Sequence, residues 1–184
     1  EKVEVVFDKL NNLQDLINLI EKYPLDPKVE YTIDLGSFHS VKQELCNLNE
    51  MIGLGNLKSH ILDQILYFAQ DLHRNDSGEG DFLHTVIHGP PGTGKTEVAR
   101  NIGKIFSKLG ILKKGSFRKV TRADLVGGYL GQTAIKTKEI ITSNLGGVLF
   151  IDEAYSLGNP EKKDSFAKEC IDTLCEALSE YKSE

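Results

Sequence analysis

Gly89-Pro90-Pro91-Gly92-Thr93-Gly94-Lys95-Thr96 constrains this chain more than any other segment. It fits the pattern GxxxxGK[ST] and stands between a short apolar run and a helical pattern, the context in which such a loop cradles phosphate. Glycines at 89, 92 and 94 let the backbone curl so that successive N–H groups point at phosphate oxygens, and the helix that follows adds its positive end. Lys95 supplies a point charge for the β- and γ-phosphates, and the Thr96 hydroxyl is placed to serve magnesium. Pro90, Pro91 and Thr93 complete the loop.

A loop of this kind presupposes a parallel sheet. The run Phe82 to His88 reads as a buried strand leading into it, and a helix is expected from Gly94 to about Leu109. A second strand follows near Phe117 to Thr121, a helix over Ala134 to Ser143, and a third buried strand over Val148 to Asp152. Strand, helix, strand, helix, strand is an α/β pattern with helices flanking a parallel sheet. Phe166, Cys170, Leu174, Leu178 and Tyr181 are expected to form the buried face of a last helix.

The third strand delivers Asp152 and Glu153 at its C-terminal end, where open parallel sheets hold their ligands. Asp152 is the expected magnesium partner. Glu153 is the group expected to orient or deprotonate an attacking water, which separates hydrolysis from storage of ATP.

Upstream, Val3, Val6, Phe7, Leu10, Leu13, Leu16, Ile17 and Ile20 recur with a helical period. The face they outline suits packing on a core or docking of a partner. Pro24 and Pro27 end that helix, Tyr31 to Asp34 reads as a short strand, and Ser37 to Leu48 as a helix. Residues 1–48 are therefore expected to be a mainly helical appendage to a core over 49–184. A helix is expected over Asn56 to Arg74, and a loop over Asn75 to Asp81.

With 184 residues, 27% of them charged, and a net charge of −5, the chain reads as globular and not as a surface built to hold nucleic acid. Its basic cluster, Lys113, Lys114, Arg118, Lys119 and Arg122, reads as a solvated face. No apolar run approaches the roughly 20 residues of a membrane-spanning helix. Cys46, Cys170 and Cys175 form no CxxC pair and read as buried thiols of a cytosolic or nuclear protein. The five histidines have no zinc-ligand spacing.

The loop GPPGTGKT together with LFIDEA resembles the AAA+ ATPases, and more narrowly the CbbX and stage V sporulation protein K group. The likeness covers residues 49–184 and includes Met51 to Leu54, Thr121 to Ala134, Lys136-Thr137 and Gly146 to Leu157. It implies a P-loop NTPase sheet, ATP and Mg²⁺ as ligands, a hexameric homo-oligomeric ring, and ATP hydrolysis coupled to chaperone-like remodelling or threading of a protein client. It also implies that Ile52 and Gly53 line the adenine pocket, although a turn leading into a helix and packed on the core fits them as well. Tyr129 and Leu130 match a loop that grips polypeptide in the ring's pore, with neighbouring glycines making it mobile; a tyrosine packed at a subunit surface is the alternative. Family members continue to a fourth and fifth strand, a sensor residue, an arginine finger and a lid, which are expected outside this sequence, so the sheet is expected to be incomplete and hydrolysis by this chain alone weak. A nucleic-acid motor and a nucleotide-dependent scaffold remain the two rival functions.

Overall fold

The computed structural model describes residues 2–5, 10–69, 84–129, 131–158 and 164–181. The chain divides into two compact units, Glu1–Gly78 with His84–Leu112, and Glu79–Leu83 with Lys113–Glu184.

In the first unit, β1 (Lys2–Val3) pairs in parallel with β2 (Glu30–Tyr31). Between them runs α1 (Leu13–Lys22), followed by α2 (Leu35–Glu50), α3 (Gly55–Ala69) and α4 (Lys95–Lys108). The helix expected from the first residues starts only at Leu13. Asn12 is the reason: its side chain accepts the Asp15 amide, an N-cap that fixes the helix start, and Val3 goes to the β1–β2 ladder instead. Val6 and Phe7 lie outside the described residues. The strand expected over Tyr31 to Asp34 is shorter and earlier, because Asp34 is the N-cap of α2 and accepts the Ser37 amide. The Ser37 hydroxyl and amide hold the Asp34 carboxyl below the usual carboxylate range.

Helix α2 packs on α4 and on α1. Leu35, Phe38, Val41, Leu45 and Leu48 of α2 are buried, as are Val98, Ile102, Ile105 and Phe106 of α4. A polar tie joins the two helices: the Glu44 carbonyl accepts from Asn101 Nδ2 at 3.3 Å, and the Glu44 carboxylate takes Lys108 Nζ at 2.8 and 2.9 Å. The N-terminal segment is thereby built against the helix that carries the phosphate loop.

One expected strand does not form over its described residues. Residues 84–88 carry no strand pairing, and Val86 is 78% exposed. A strand exists only where its backbone groups meet a neighbouring strand, and no strand lies beside this segment among the described residues. Phe82, Leu83, the expected 75–81 loop and the end of the helix expected to reach Arg74 lie outside them.

The second unit holds β3 (Phe117–Val120), α5 (Arg122–Leu125), α6 (Gln132–Ser143), β4 (Val148–Ile151), a 3-10 turn (Ala154–Leu157) and α7 (Ser165–Glu180). Strands β3 and β4 are parallel, with Phe117 opposite Val148 and Val120 opposite Ile151. Val120, Leu125, Ile140, Leu157 and Cys170 form its core. The expectation of a fully buried β4 is corrected: all four residues are half-buried, since among the described residues the sheet has two strands and covers β4 on one edge only.

Helix α7 buries Ala167, Cys170, Thr173 and Ala177, whereas Leu178 is exposed. The expected face, stepping by four residues, drifts by about 40° per step, so by Leu178 it has left the core. Cys175, five residues beyond Cys170, is turned about 140° away and is exposed, and Cys46 is half-buried, so only Cys170 is the buried thiol expected of all three. Burial pushes the Cys170 thiol up. Maleimide labelling followed by mass spectrometry of the native protein is expected to modify Cys175 at least about tenfold faster than Cys170.

Candidate functional site

The phosphate loop belongs to the first unit. Gly92 and Gly94 both have φ near +77°, the left-handed region that glycine enters freely, and a side chain at either would project into open space. Helix α4 begins at Lys95 with Gly94 as its N-cap and with no side-chain cap hydrogen bond, so its first amides are left to an anion. Side chains on a helix lean toward its N-terminus, which returns Lys95 over the loop. There its Nζ donates to the carbonyls of Gly89 at 2.8 Å and Pro90 at 2.7 Å, and Thr93 Oγ1 donates to Pro90 at 2.9 Å. Thr96 is half-buried at the second position of α4. Open glycines, uncapped amides and a poised ammonium suit a polyphosphate.

Just before this loop, a cleft of about 680 Å³ is lined by Leu54, Asn56, Leu57, His60 and the segment from His84 to His88. Leu54 has φ of +62°, costly for a branched side chain, and it turns the chain into α3 at the cleft wall. Ile52 is fully exposed and is not among the residues lining the cleft. The turn that carries Ile52 and Gly53 is held by Lys58, whose Nζ donates to the carbonyls of Asn49 at 2.8 Å and Met51 at 2.6 Å at the negative end of α2. Leu57, His60 and His84 were not legible as cleft residues, because nothing in their spacing brings α3 to the segment before the loop.

Asp152 and Glu153 belong to the second unit, at the C-terminal end of β4. The Asp152 amide donates to the Val120 carbonyl at 2.8 Å, which extends the β3–β4 ladder to the carboxylate. Asp152 Oδ2 is paired with Lys119 Nζ at 2.6 Å, and Oδ1 accepts the Glu153 amide at 3.0 Å. Glu153 has φ of +53°, a strained setting worth about 1 kcal/mol or more, and its side chain is exposed. Left-handed non-glycine residues among the described ones are Leu54 and Glu153, one at the cleft and one at the acidic pair. Arg118 donates to Ser143 Oγ at 3.2 Å and Arg122 pairs with Asp164, so Arg118, Lys119 and Arg122 of the basic cluster all have partners inside their own unit.

Tyr129 is 74% exposed, and Leu130 lies outside the described residues. The flanking glycines do not leave this loop loose at its base: the Gly127 amide donates to Thr133 Oγ1 at 3.0 Å, and Thr133 is fully buried.

Residues 85–184 match the ATPase family associated with various cellular activities (AAA). The chain belongs to the AAA family of ATPases. It is 38% identical to a putative cfxQ-like protein of Acanthamoeba polyphaga mimivirus over 97% of its own length and 45% of that protein. To stage V sporulation protein K of Bacillus subtilis it is 41% identical, over 79% of this chain and 46% of the relative. To the chloroplastic ribulose bisphosphate carboxylase/oxygenase activase of Cyanidioschyzon merolae it is again 41% identical, over 73% of this chain and 47% of the relative. The chain thus spans about half the length of the curated relatives it matches.

Membership gives the α/β P-loop class, to which the parallel β3–β4 pair and the helix after the phosphate loop conform. AAA ATPases bind nucleotide, usually with Mg²⁺. No group of three or more histidine, cysteine or acidic side chains gathers into a metal site among the described residues. No helix among them is long and apolar enough to cross a membrane.

Proposed function

We propose that this AAA chain binds Mg-ATP through Gly89 to Thr96 and hydrolyses it, within a ring of copies, to remodel or thread a protein client. The observation that carries the reading is the Lys95 ammonium held over an open loop of left-handed glycines at an uncapped helix start. In this reading the loop amides and Lys95 bind the phosphates and orient the terminal one. Thr96 and Asp152 hold the magnesium ion, which when bound neutralises phosphate charge. Glu153 orients the attacking water and takes its proton, and the strained backbone there is the kind found where a side chain must be aimed. Leu54, Leu57, Val86 and Ile87 give the base apolar side chains, and Ile52 and Gly53 lie on the turn that leads into α3. Tyr129 and Leu130 contact the client.

A protein client is supported by a relative named as an activase of a carboxylase, and by the ion pairs of Lys119 with Asp152 and Arg122 with Asp164, which leave less charge for nucleic acid. Free thiols suit the cytosol or nucleus as the place of action. The test is Glu153→Gln. Binding of a fluorescent ATP analogue should persist within about twofold, while phosphate release by the assembled protein falls by about 10²- to 10⁴-fold. Unchanged turnover would remove Glu153 from the chemistry.

A further inference from the structure

We propose that Lys136 is a positioning residue that clamps the base of the Tyr129 loop, so that the tyrosine is presented on a fixed frame and not on a mobile one. The inference rests on the reading of Tyr129 as a client contact. Its grounds lie within the second unit.

The loop leaves α5, a helix of one turn, and returns into α6. The Arg122 carbonyl takes the Val126 amide, but a helix of that length leaves its later carbonyls without intrahelical partners, and in isolation it does not hold together. Here the donors come from one face of α6. Lys136 Nζ donates to the carbonyls of Ala123 at 2.9 Å and Val126 at 3.1 Å, and Thr137 Oγ1 donates to Leu125 at 3.1 Å. One turn earlier on the same face, Thr133 accepts the Gly127 amide. Residues 133, 136 and 137 are spaced by three and four, so a single helical face ties down Ala123 and Leu125 of α5 and Val126 and Gly127 at the start of the loop. A charged donor at the C-terminal end of α5 also meets the negative end of its dipole.

The N-terminal end of α5 is fixed as well. Thr121 and Asp124 form a reciprocal capping box, and the Thr121 amide and hydroxyl hold the Asp124 carboxyl below the usual carboxylate range. Arg122 pairs with Asp164, the N-cap of α7.

The loop closes tightly above this clamp. A side chain at Gly127 would sit 2.7 Å from Gln132 Cβ and 3.0 Å from the backbone of Gln132 and Thr133, so the two ends of the loop touch through a glycine. The Gln132 amide donates to the Tyr129 carbonyl at 3.2 Å. What projects from this closed base is the Tyr129 ring, 74% exposed. Core packing does not explain an exposed ring on a tied frame. A contact that must transmit force to a polypeptide does, since a loose loop would yield instead of pulling.

The experiment uses the full chain and three variants, Lys136→Met, Lys136→Arg and Tyr129→Ala. Hydrogen exchange of the 124–135 region is followed by mass spectrometry. Affinity for a fluorescein-labelled, reduced and carboxymethylated α-lactalbumin, an unfolded polypeptide, is read by anisotropy with a non-hydrolysable ATP analogue present. Lys136→Met, which keeps the stem and removes the donors, is expected to speed exchange at 126–132 about tenfold and weaken polypeptide binding by a similar factor. Nucleotide affinity and exchange in α7 should stay unchanged, and Lys136→Arg should restore both losses in large part. Wild-type exchange and wild-type polypeptide affinity in Lys136→Met would overturn the clamp. If Lys136→Met frees the loop but Tyr129→Ala binds polypeptide as wild type does, the clamp stands and the reading of Tyr129 is what fails.

Discussion

Lys95→Ala is expected to weaken binding of a fluorescent ATP analogue by about 10- to 100-fold, with the larger loss when magnesium is withheld. The ammonium has three donors, and two of them rest on the loop's own carbonyls at Gly89 and Pro90. Those contacts hold the charge at the mouth of the loop before a phosphate arrives. Hydrogen bonds made by a charged group are worth about 1.5–3 kcal/mol each, and 1.4 kcal/mol is tenfold in affinity. Without Mg²⁺ the lysine neutralises phosphate charge alone, so its removal is felt more. The substitution leaves α4 intact, because alanine is the best helix former and Lys95 is its first residue. Equal affinity for wild type and variant in protein with unchanged helical content would sink the assignment of Gly89 to Thr96 as the nucleotide site.

What was legible in the sequence was what local rules decide. Helix α4 runs Lys95–Lys108 against an expected Gly94 to Leu109, and α6 runs Gln132–Ser143 against Ala134 to Ser143. Strands β3 and β4 lie within one residue of their expected bounds, since β4 is an apolar run that follows Gly146 and Gly147, and β3 is set between Gly115 and the Thr121 cap of α5. The missing strand has its cause in long-range partners. Val86 sits in a run with strand composition, but a ladder needs a neighbour that the run itself does not contain. Capping decided the rest: Asn12 shortened α1, and the Thr121–Asp124 box made α5, a signal that Thr-x-x-Asp carries and that went unread.

The candidate site divides along the same line. Gly89 to Thr96 and Asp152-Glu153 are contiguous in the chain, so their residue types announce their chemistry. The lysines that hold the surrounding frame do not. Lys58 on the carbonyls that end α2, Lys119 on Asp152 and Lys136 on the end of α5 are each a surface-type residue whose target is chosen by tertiary structure. A lysine offers three donors in any direction, so its sequence position says nothing about which acceptor it finds.

Leu45→Ala is expected to lower the stability of the first unit by about 2–5 kcal/mol, against a total that for a domain is typically 5–15 kcal/mol. Leu45 is fully buried on α2, next to the Glu44 that ties α2 to Asn101 and Lys108 of α4. A cavity there loosens the helix packed against the one that begins at the phosphate loop. The consequence reaches nucleotide binding without touching the nucleotide: a fluorescent ATP analogue should bind to the folded fraction alone. Saturating analogue at about 100 times its dissociation constant should return about 2.7 kcal/mol, close to the smaller end of the loss. Thermal unfolding with and without the analogue measures both numbers. Leu25→Ala, at a residue 57% exposed, is the control and should stay within about 0.5 kcal/mol. An unchanged midpoint in Leu45→Ala would mean that α2 does not support α4 and that the N-terminal segment is a detachable appendage. A fall that the analogue partly reverses would make the segment a structural part of the ATP site.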